Sequence, residues 1–279
     1  MFYKTLAWRT RFILLLSVAL STGIVSAKPV MEVGAGIIGF HMPHYLGSDQ
    51  QSQYVLPFPY LIYRGDILNA DRSGLQGYLY NSDKLDLRLS FGGSLPVNSE
   101  DNDARVGMDD LQLMAEVGPN LEYQLFKSDS QLLRLDFPLR AAFILGSPFM
   151  KYQGWTANPG VYHNLELERW NFVSQAGLVF SGRRYHAYIY DVATDEVMAG
   201  RDFYQSEAGY TAARLSFSAK YRMDNLILSG TLNYYNLNHA KNAASPLIKQ
   251  KSYASIGLYI AWVFYQSEVQ ASALNLHSR

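Results

Sequence analysis

Apolar and polar residues alternate strictly along much of this chain. In Lys84 to Phe91, Leu85, Leu87, Leu89 and Phe91 take one face, while Asp86, Arg88 and Ser90 take the other. From Leu111 to Phe126, Leu111, Leu113, Ala115, Val117, Leu121, Tyr123 and Leu125 oppose Gln112, Glu116, Asn120, Glu122 and Gln124. In Leu132 to Leu145, Leu133, Leu135, Phe137, Leu139, Ala141 and Phe143 oppose Arg134, Asp136 and Arg140. A helix would scatter both sets around its circumference, whereas a strand sends them to opposite faces. Trp170 to Ser181, Thr211 to Arg222 and Leu226 to Tyr235 repeat the pattern less cleanly. These runs exceed the roughly 5 or 6 residues of an ordinary strand and reach the roughly 9 to 11 needed to cross a bilayer. The pattern predicts an all-β, antiparallel transmembrane β-barrel.

Short polar turns separate many of the strands: Arg64-Gly65-Asp66, Asn81-Ser82-Asp83, Lys127 to Ser130, Glu168-Arg169 and Met223-Asp224-Asn225. Longer polar connections lie at Pro96 to Asp110, Gly182 to Gly209 and Asn238 to Ser252. Barrels of this class keep short turns on the periplasmic side and long loops outside. With Tyr253 to Phe264 as the last strand, all three long connections fall outside. A direct count gives eleven strands, and single-chain bacterial barrels carry an even number. Splitting Ile67 to Tyr80 into two short strands, with a turn near Asp71 to Ser73, gives about 12. A hairpin within Tyr185 to Tyr204 is the competing repair, and 10 or 14 strands stay open.

The first residues change the picture by adding an address. Lys4, Arg9 and Arg11 form a basic segment, Phe12 to Leu20 an apolar one, and Val25-Ser26-Ala27 a small-residue cleavage site. This reads as a cleaved export signal, 1–27, followed by a barrel, 28–264, and a polar tail, 265–279. Removing the signal leaves 21 Lys plus Arg against 24 Asp plus Glu, so no basic excess exists to neutralise a nucleic acid. With no cysteine, disulfides, thiolate metal sites, cysteine nucleophiles and lipoprotein anchoring are excluded. The 21 Tyr, 14 Phe, 4 Trp and 21 Gly suit a barrel whose outer and inner faces average out along each strand.

Two segments resemble the N-terminal signature of the MipA/OmpV family of outer-membrane proteins, named in part for the MltA-interacting protein. They are Tyr45-Leu46-Gly47-Ser48-Asp49 and Tyr54-Val55-Leu56-Pro57-Phe58-Pro59-Tyr60-Leu61-Ile62-Tyr63-Arg64-Gly65. Within them Tyr45, Gly47, Ser48, Asp49, Pro57, Pro59, Tyr60, Tyr63, Arg64 and Gly65 carry the resemblance. Gly107 to Tyr123, Leu135 to Ala142 and Ser245-Pro246-Leu247-Ile248 extend it over nearly the whole mature chain. The resemblance implies an outer-membrane barrel and a scaffold between murein hydrolases, such as a lytic transglycosylase, and murein synthases, the penicillin-binding proteins. Family members tend to end on the aromatic residue that closes the last strand. Here Trp262 and Phe264 supply that terminal strand signal, and fifteen residues follow.

A search for catalytic chemistry gives little. The histidines are His41, His44, His163, His186, His239 and His277, and none stands in a His-x-Ser-Asn-Gly motif of the outer-membrane phospholipase type. His186, among Tyr185, Tyr188 and Tyr190, reads as a rim residue. His41 and His44 flank Met42-Pro43 without further ligands, and Asp101 to Gly107 departs from a calcium loop at Arg105. The expectation is therefore a protein that is not an enzyme and has no metal or cofactor. Its contacts are membrane lipid and lipopolysaccharide.

The positions assigned to the lumen are more informative. Asp86, Arg88, Glu116, Glu122, Arg134, Asp136, Arg140, Arg214 and Lys220 mix both signs, which predicts paired charges filling a narrow or closed interior. The reading is a non-enzymatic scaffold, with a transport pore or surface adhesin as the alternative.

Overall fold

The computed structural model describes residues 29–64, 68–71 and 74–268. Its strands are β1 (Met31–Pro43), β2 (Gln51–Arg64), β3 (Leu68–Asp71), β4 (Gly74–Asn81), β5 (Leu85–Ser94), β6 (Met114–Lys127) and β7 (Gln131–Leu145). They continue with β8 (Phe149–Ala157), β9 (Gly160–Leu167), β10 (Trp170–Ser181), β11 (Gly209–Met223), β12 (Leu226–Asn236) and β13 (Ser252–Gln266). Pairing is antiparallel throughout, β13 joins β1, and β10 joins β11, so the sheet closes on itself. Both β8 and β9 pair with β7 on one side and β10 on the other, so they are two halves of one spanning strand. The break falls at Asn158-Pro159, where proline has no N–H to give the ladder. Counted this way the described wall has twelve strands.

The extra pair arises where the sequence pattern placed it, with Ile67 to Tyr80 yielding β3 and β4. The competing hairpin within Tyr185 to Tyr204 does not form. That segment holds a helix, α1 (Arg183–Tyr190), and a loop closed by bridges between Val192 and Tyr204 and between Met198 and Arg201. The export signal and most of the tail lie outside the described residues, as do Gly65, Asp66, Arg72 and Ser73 of the expected turns. The last strand continues past Phe264 to Gln266.

Outward positions form an apolar belt. Leu121, Tyr123, Phe137, Leu139, Leu215, Phe217, Leu232, Ile256, Leu258, Ile260, Trp262 and Phe264 are all exposed. A water-soluble protein rarely leaves so continuous an apolar surface bare, and a bilayer accounts for it. At the rim carrying the termini, Trp170 stacks on Phe172 at 5.5 Å and meets Tyr221 at 4.7 Å, an arrangement suited to the headgroup level. No helix among the described residues is long and apolar enough to cross a membrane. The strands make the crossing.

The two ends differ. At the rim of the termini the turns are short, with Glu168 and Asp224 at positive φ (50° and 47°) in tight connections that match the sheet's twist. At the opposite rim the connections 44–50, 95–113, 182–208 and 237–251 are long, and they fold together into a cap.

Candidate functional site

The cap is built by four loops that bury one another. Tyr45, Val97, Ala104, Leu111, Ile189, Tyr190, Val192 and Leu247 form its apolar centre, with Tyr190 only 1% exposed. An isolated eight-residue helix is unstable in water, so α1 exists because Tyr185, Ile189 and Tyr190 have this centre to pack into. Gly182 starts the helix, and a Cβ there would lie 2.7 Å from the Trp155 indole nitrogen. Hydrogen bonds then tie loop to loop. Tyr45 Oη donates to Leu247 O at 2.9 Å, Tyr190 Oη to Leu46 O at 2.7 Å, and Ser245 Oγ to Tyr190 O at 2.8 Å.

Two buried arginines act as clamps. Arg105 donates to Ile189 O (2.9 Å) and Asp109 O (3.0 Å), and Arg201 to Val106 O (2.8 Å) and Glu196 O (2.8 Å). In the segment 100–110 the acidic residues Glu100, Asp101, Asp103, Asp109 and Asp110 stay exposed while Asn102, Ala104 and Arg105 are buried. Its carboxylates cap turns, as Asp110 does for Ser99 N at 2.8 Å. Burial pushes the Tyr45 hydroxyl up to about 12, against the pull of Arg105. Burial also lowers the pKa of His186, whose Nδ1 donates to Glu207 O at 2.7 Å and whose Nε2 lies 2.8 Å from Thr211 Oγ1. His186 is fully buried, which corrects the expectation of a rim residue.

The signature residues divide between cap and wall. Tyr45, Gly47 and Ser48 are buried in the first loop and Asp49 is exposed. Gly47, at φ +98°, accepts from Lys249 N (2.8 Å) and Gln250 N (3.0 Å) through its carbonyl, fastening the first loop to the last. Pro57, Pro59, Tyr60 and Tyr63 lie in β2, with Tyr60 buried toward the lumen and Tyr63 outward. The Arg64 side chain and Gly65 fall outside the described residues.

A serine, a histidine and an asparagine come into line in the cap. His44 Nε2 lies 2.8 Å from Ser52 Oγ, and Nδ1 lies 3.0 Å from Asn102 Nδ2, which also donates to Ser48 Oγ at 3.0 Å. Because the amide nitrogen faces Nδ1, Nδ1 accepts and the ring proton sits on Nε2, pointing at Ser52. That polarity is opposite to the one that activates a serine nucleophile. The arrangement is a clasp between the first and second long loops. With both ring nitrogens occupied, His44 is not presented to a metal.

Below the cap, the charges assigned to the lumen gather along β5 to β7. Glu122 lies 3.3 Å from both Arg88 and Arg134, which in turn pair with Asp86 (3.1 Å) and Asp136 (2.7 Å). Glu116 accepts from Thr156 Oγ1 (2.8 Å) and Tyr185 Oη (3.1 Å), with Arg140 at 3.9 Å. Arg214 donates to Asn233 Oδ1 at 3.1 Å, and Lys220 lies on the same face of β11. The interior space is divided. A chamber of about 340 Å³ lies under the cap and a pocket of about 110 Å³ below it, with Arg140 and Arg214 lining both. Sequence reasoning missed the cap. The spacing of Tyr185, Tyr188, Ile189 and Tyr190 held a helical signal.

Residues 33–264, nearly the whole barrel, match the family of the MltA-interacting protein MipA. The chain belongs to the MipA family. No curated protein matches the MipA-family chain. Among solved structures it is similar to a bacterial polysaccharide outer membrane secretin, at 8% identity and TM-score 0.40, with 84% of this chain and 99% of that one covered. It is also similar to the NanC porin, at 10% identity and TM-score 0.37 over 83% and 98%. The CymD monoaromatic hydrocarbon channel gives 12% identity and TM-score 0.39 over 86% and 90%.

Proposed function

We propose that this MipA-family barrel is a non-enzymatic docking platform of the outer membrane, holding a lytic transglycosylase and a penicillin-binding protein at its periplasmic face. The family's own name describes an interaction with a murein enzyme. One observation carries the reading: four long loops bury one another in a cap over one rim, its central Tyr190 only 1% exposed, and the inward charges around Glu122 are ion-paired with one another. A barrel built for diffusion keeps an open path, and a barrel built as an anchor does not need one.

The test pairs two measurements. Purified barrel should retain a murein hydrolase or synthase from periplasmic extract, with substitutions in Lys127 to Ser130 weakening retention and substitutions in Glu100 to Asp110 leaving it intact. Planar bilayers should show no large, steady conductance. Steady conductance with no retained murein enzyme would favour a transport pore. Attachment to surfaces with neither would favour an adhesin.

A further inference from the structure

Among the described residues the pairing of the wall is incomplete on one side. β3 has four residues and β4 eight, so neither reaches the roughly 9 to 11 needed to span. Among the described residues β3 pairs with β2 at Tyr63 and Arg64, and β4 pairs with β5 as far as Arg88. The outer half of β2, from Gln51 to Leu61, therefore has no described strand paired on that edge, and β5 has no residue beyond Arg88 paired with β4.

The sequence keeps this gap open. Pro57 and Pro59 share one parity in β2, and the β1–β2 ladder passes both without a bulge. The missing N–H groups thus belong to the other edge, the one at the gap. Prolines placed there prevent another strand from adding on.

The gap adjoins the space beneath the cap. A cleft of about 540 Å³ touches Ser52 and Tyr54 of β2 and Pro96 and Val97 just past β5. It shares His44 and Leu111 with the 340 Å³ chamber, which reaches Phe91 to Ser94 at the open edge and Arg214 and Tyr253 on the far side. On that far side Tyr253 is 5% exposed, yet its hydroxyl has no hydrogen-bond partner, and neither has Arg214 Nε. A buried donor without a partner is destabilising, so two together in one chamber mark a place where an acceptor belongs. The chamber's charged groups are Arg140, Arg214 and Glu116, a net excess of one positive charge. Apolar side chains line one side of the route, Met42 and Phe91 at the chamber and Tyr54 at the cleft, with Leu56 beside them on β2 and 44% exposed, while Asn98, Asp101, Asp110 and Gln112 line the cleft's loop side.

The geometry points to a binding site for a single-chain amphiphile with an anionic oxygen head, entering from the membrane between β2 and β5. The head accepts from Tyr253 Oη and Arg214 under the cap, and the chain lies along the apolar side of the route toward the gap. This site is independent of murein-enzyme docking.

The test uses the full barrel in lipid nanodiscs, with dansyl-labelled undecanoic acid as the probe and the matching dansyl alcohol as its neutral control. The acid should bind saturably and the alcohol about tenfold more weakly. Arg214→Gln should weaken the acid about tenfold without affecting the alcohol. Tyr253→Phe, which keeps the ring stacked on Tyr235, should weaken the acid several-fold, and it carries the test alone if Arg214→Gln fails to give a heat-modifiable barrel. Leu56→Glu, placing a carboxylate on the route, should slow association of the acid. Equal binding of acid and alcohol, or acid binding that survives Tyr253→Phe, overturns the site. An unchanged association rate in Leu56→Glu overturns the entry between β2 and β5.

Discussion

Across the lumen stand two walls of opposite material. On β5 to β7, Asp86, Arg88, Glu122, Arg134 and Asp136 run as a ladder of alternating charge. On β2, β12 and β13, Tyr60, Ile62, Ile227, Ala261 and Val263 pack as a dry cluster with Phe58 and Tyr259. The charged wall depends on pairing, because each ion has left water and is repaid only by its neighbours. The apolar wall depends on fit. Gly36 is part of that fit, since a Cβ there would meet the Phe58 ring at 2.6 Å. A barrel interior can thus be filled by paired charge on one side and by packing on the other, and the chamber under the cap is lined by neither set.

The sharpest way to break the comparison is Glu122→Leu. It leaves Arg88 and Arg134 facing each other without the carboxylate they share, at a cost of about 3 kcal/mol. The urea midpoint of the folded barrel should fall accordingly. An unchanged midpoint would mean that lumen water, not Glu122, compensates the arginines.

The outward faces of both walls should behave alike. Leu258, 59% exposed at the middle of β13, faces lipid, so Leu258→Arg should cost about 2 to 4 kcal/mol at the midplane and reduce assembly into the membrane. A fully assembled, equally stable variant would remove the lipid from the description of this face.

The same two walls explain what could be read from the sequence. Alternation identifies a strand only when its faces differ, and on β5 to β7 Leu87, Leu121 and Leu135 contrast with Arg88, Glu122 and Arg134. Those strands were therefore legible. On β2 the run Tyr54 to Tyr63 is apolar on both faces, so period two vanishes and only the proline pair and the resemblance marked it. The cap was illegible for another reason. Its contacts join residues far apart in sequence, such as Tyr45 with Leu247 and Arg105 with Ile189, and many of its bonds run to backbone carbonyls that any sequence carries.

On the apolar wall, Gly36→Val should cost about 1 to 3 kcal/mol, because its Cβ would press on the Ile260 backbone oxygen as well as on the Phe58 ring. Thermal unfolding followed on a gel would show it. A double variant, Gly36→Val with Phe58→Ala, should recover part of the loss if the ring is what the glycine accommodates.

The smallest effect should come from pH, and it acts on the cap above both walls. Burial lowers the pKa of His186 from the ordinary 6.5, outweighing the carbonyl of Glu207, and lowers that of His44, outweighing Asp101. A base whose pKa is depressed in the closed cap binds fewer protons there than in the open one, so opening takes up protons. The closed state therefore holds its full advantage above about 6.5 and loses it as pH falls from there through the lowered values. Amide exchange of residues 183–190, corrected for intrinsic rate, should be slower relative to an unfolded peptide at pH 7.5 than at pH 5. His186→Gln keeps a donor and an acceptor but cannot titrate, so it should shrink the difference without abolishing it, leaving the share of His44. Equal protection at both pH values in the unsubstituted barrel would mean that neither imidazole gains its proton when the cap opens, and that the loops are held by the arginine clamps and the Tyr190 cluster alone.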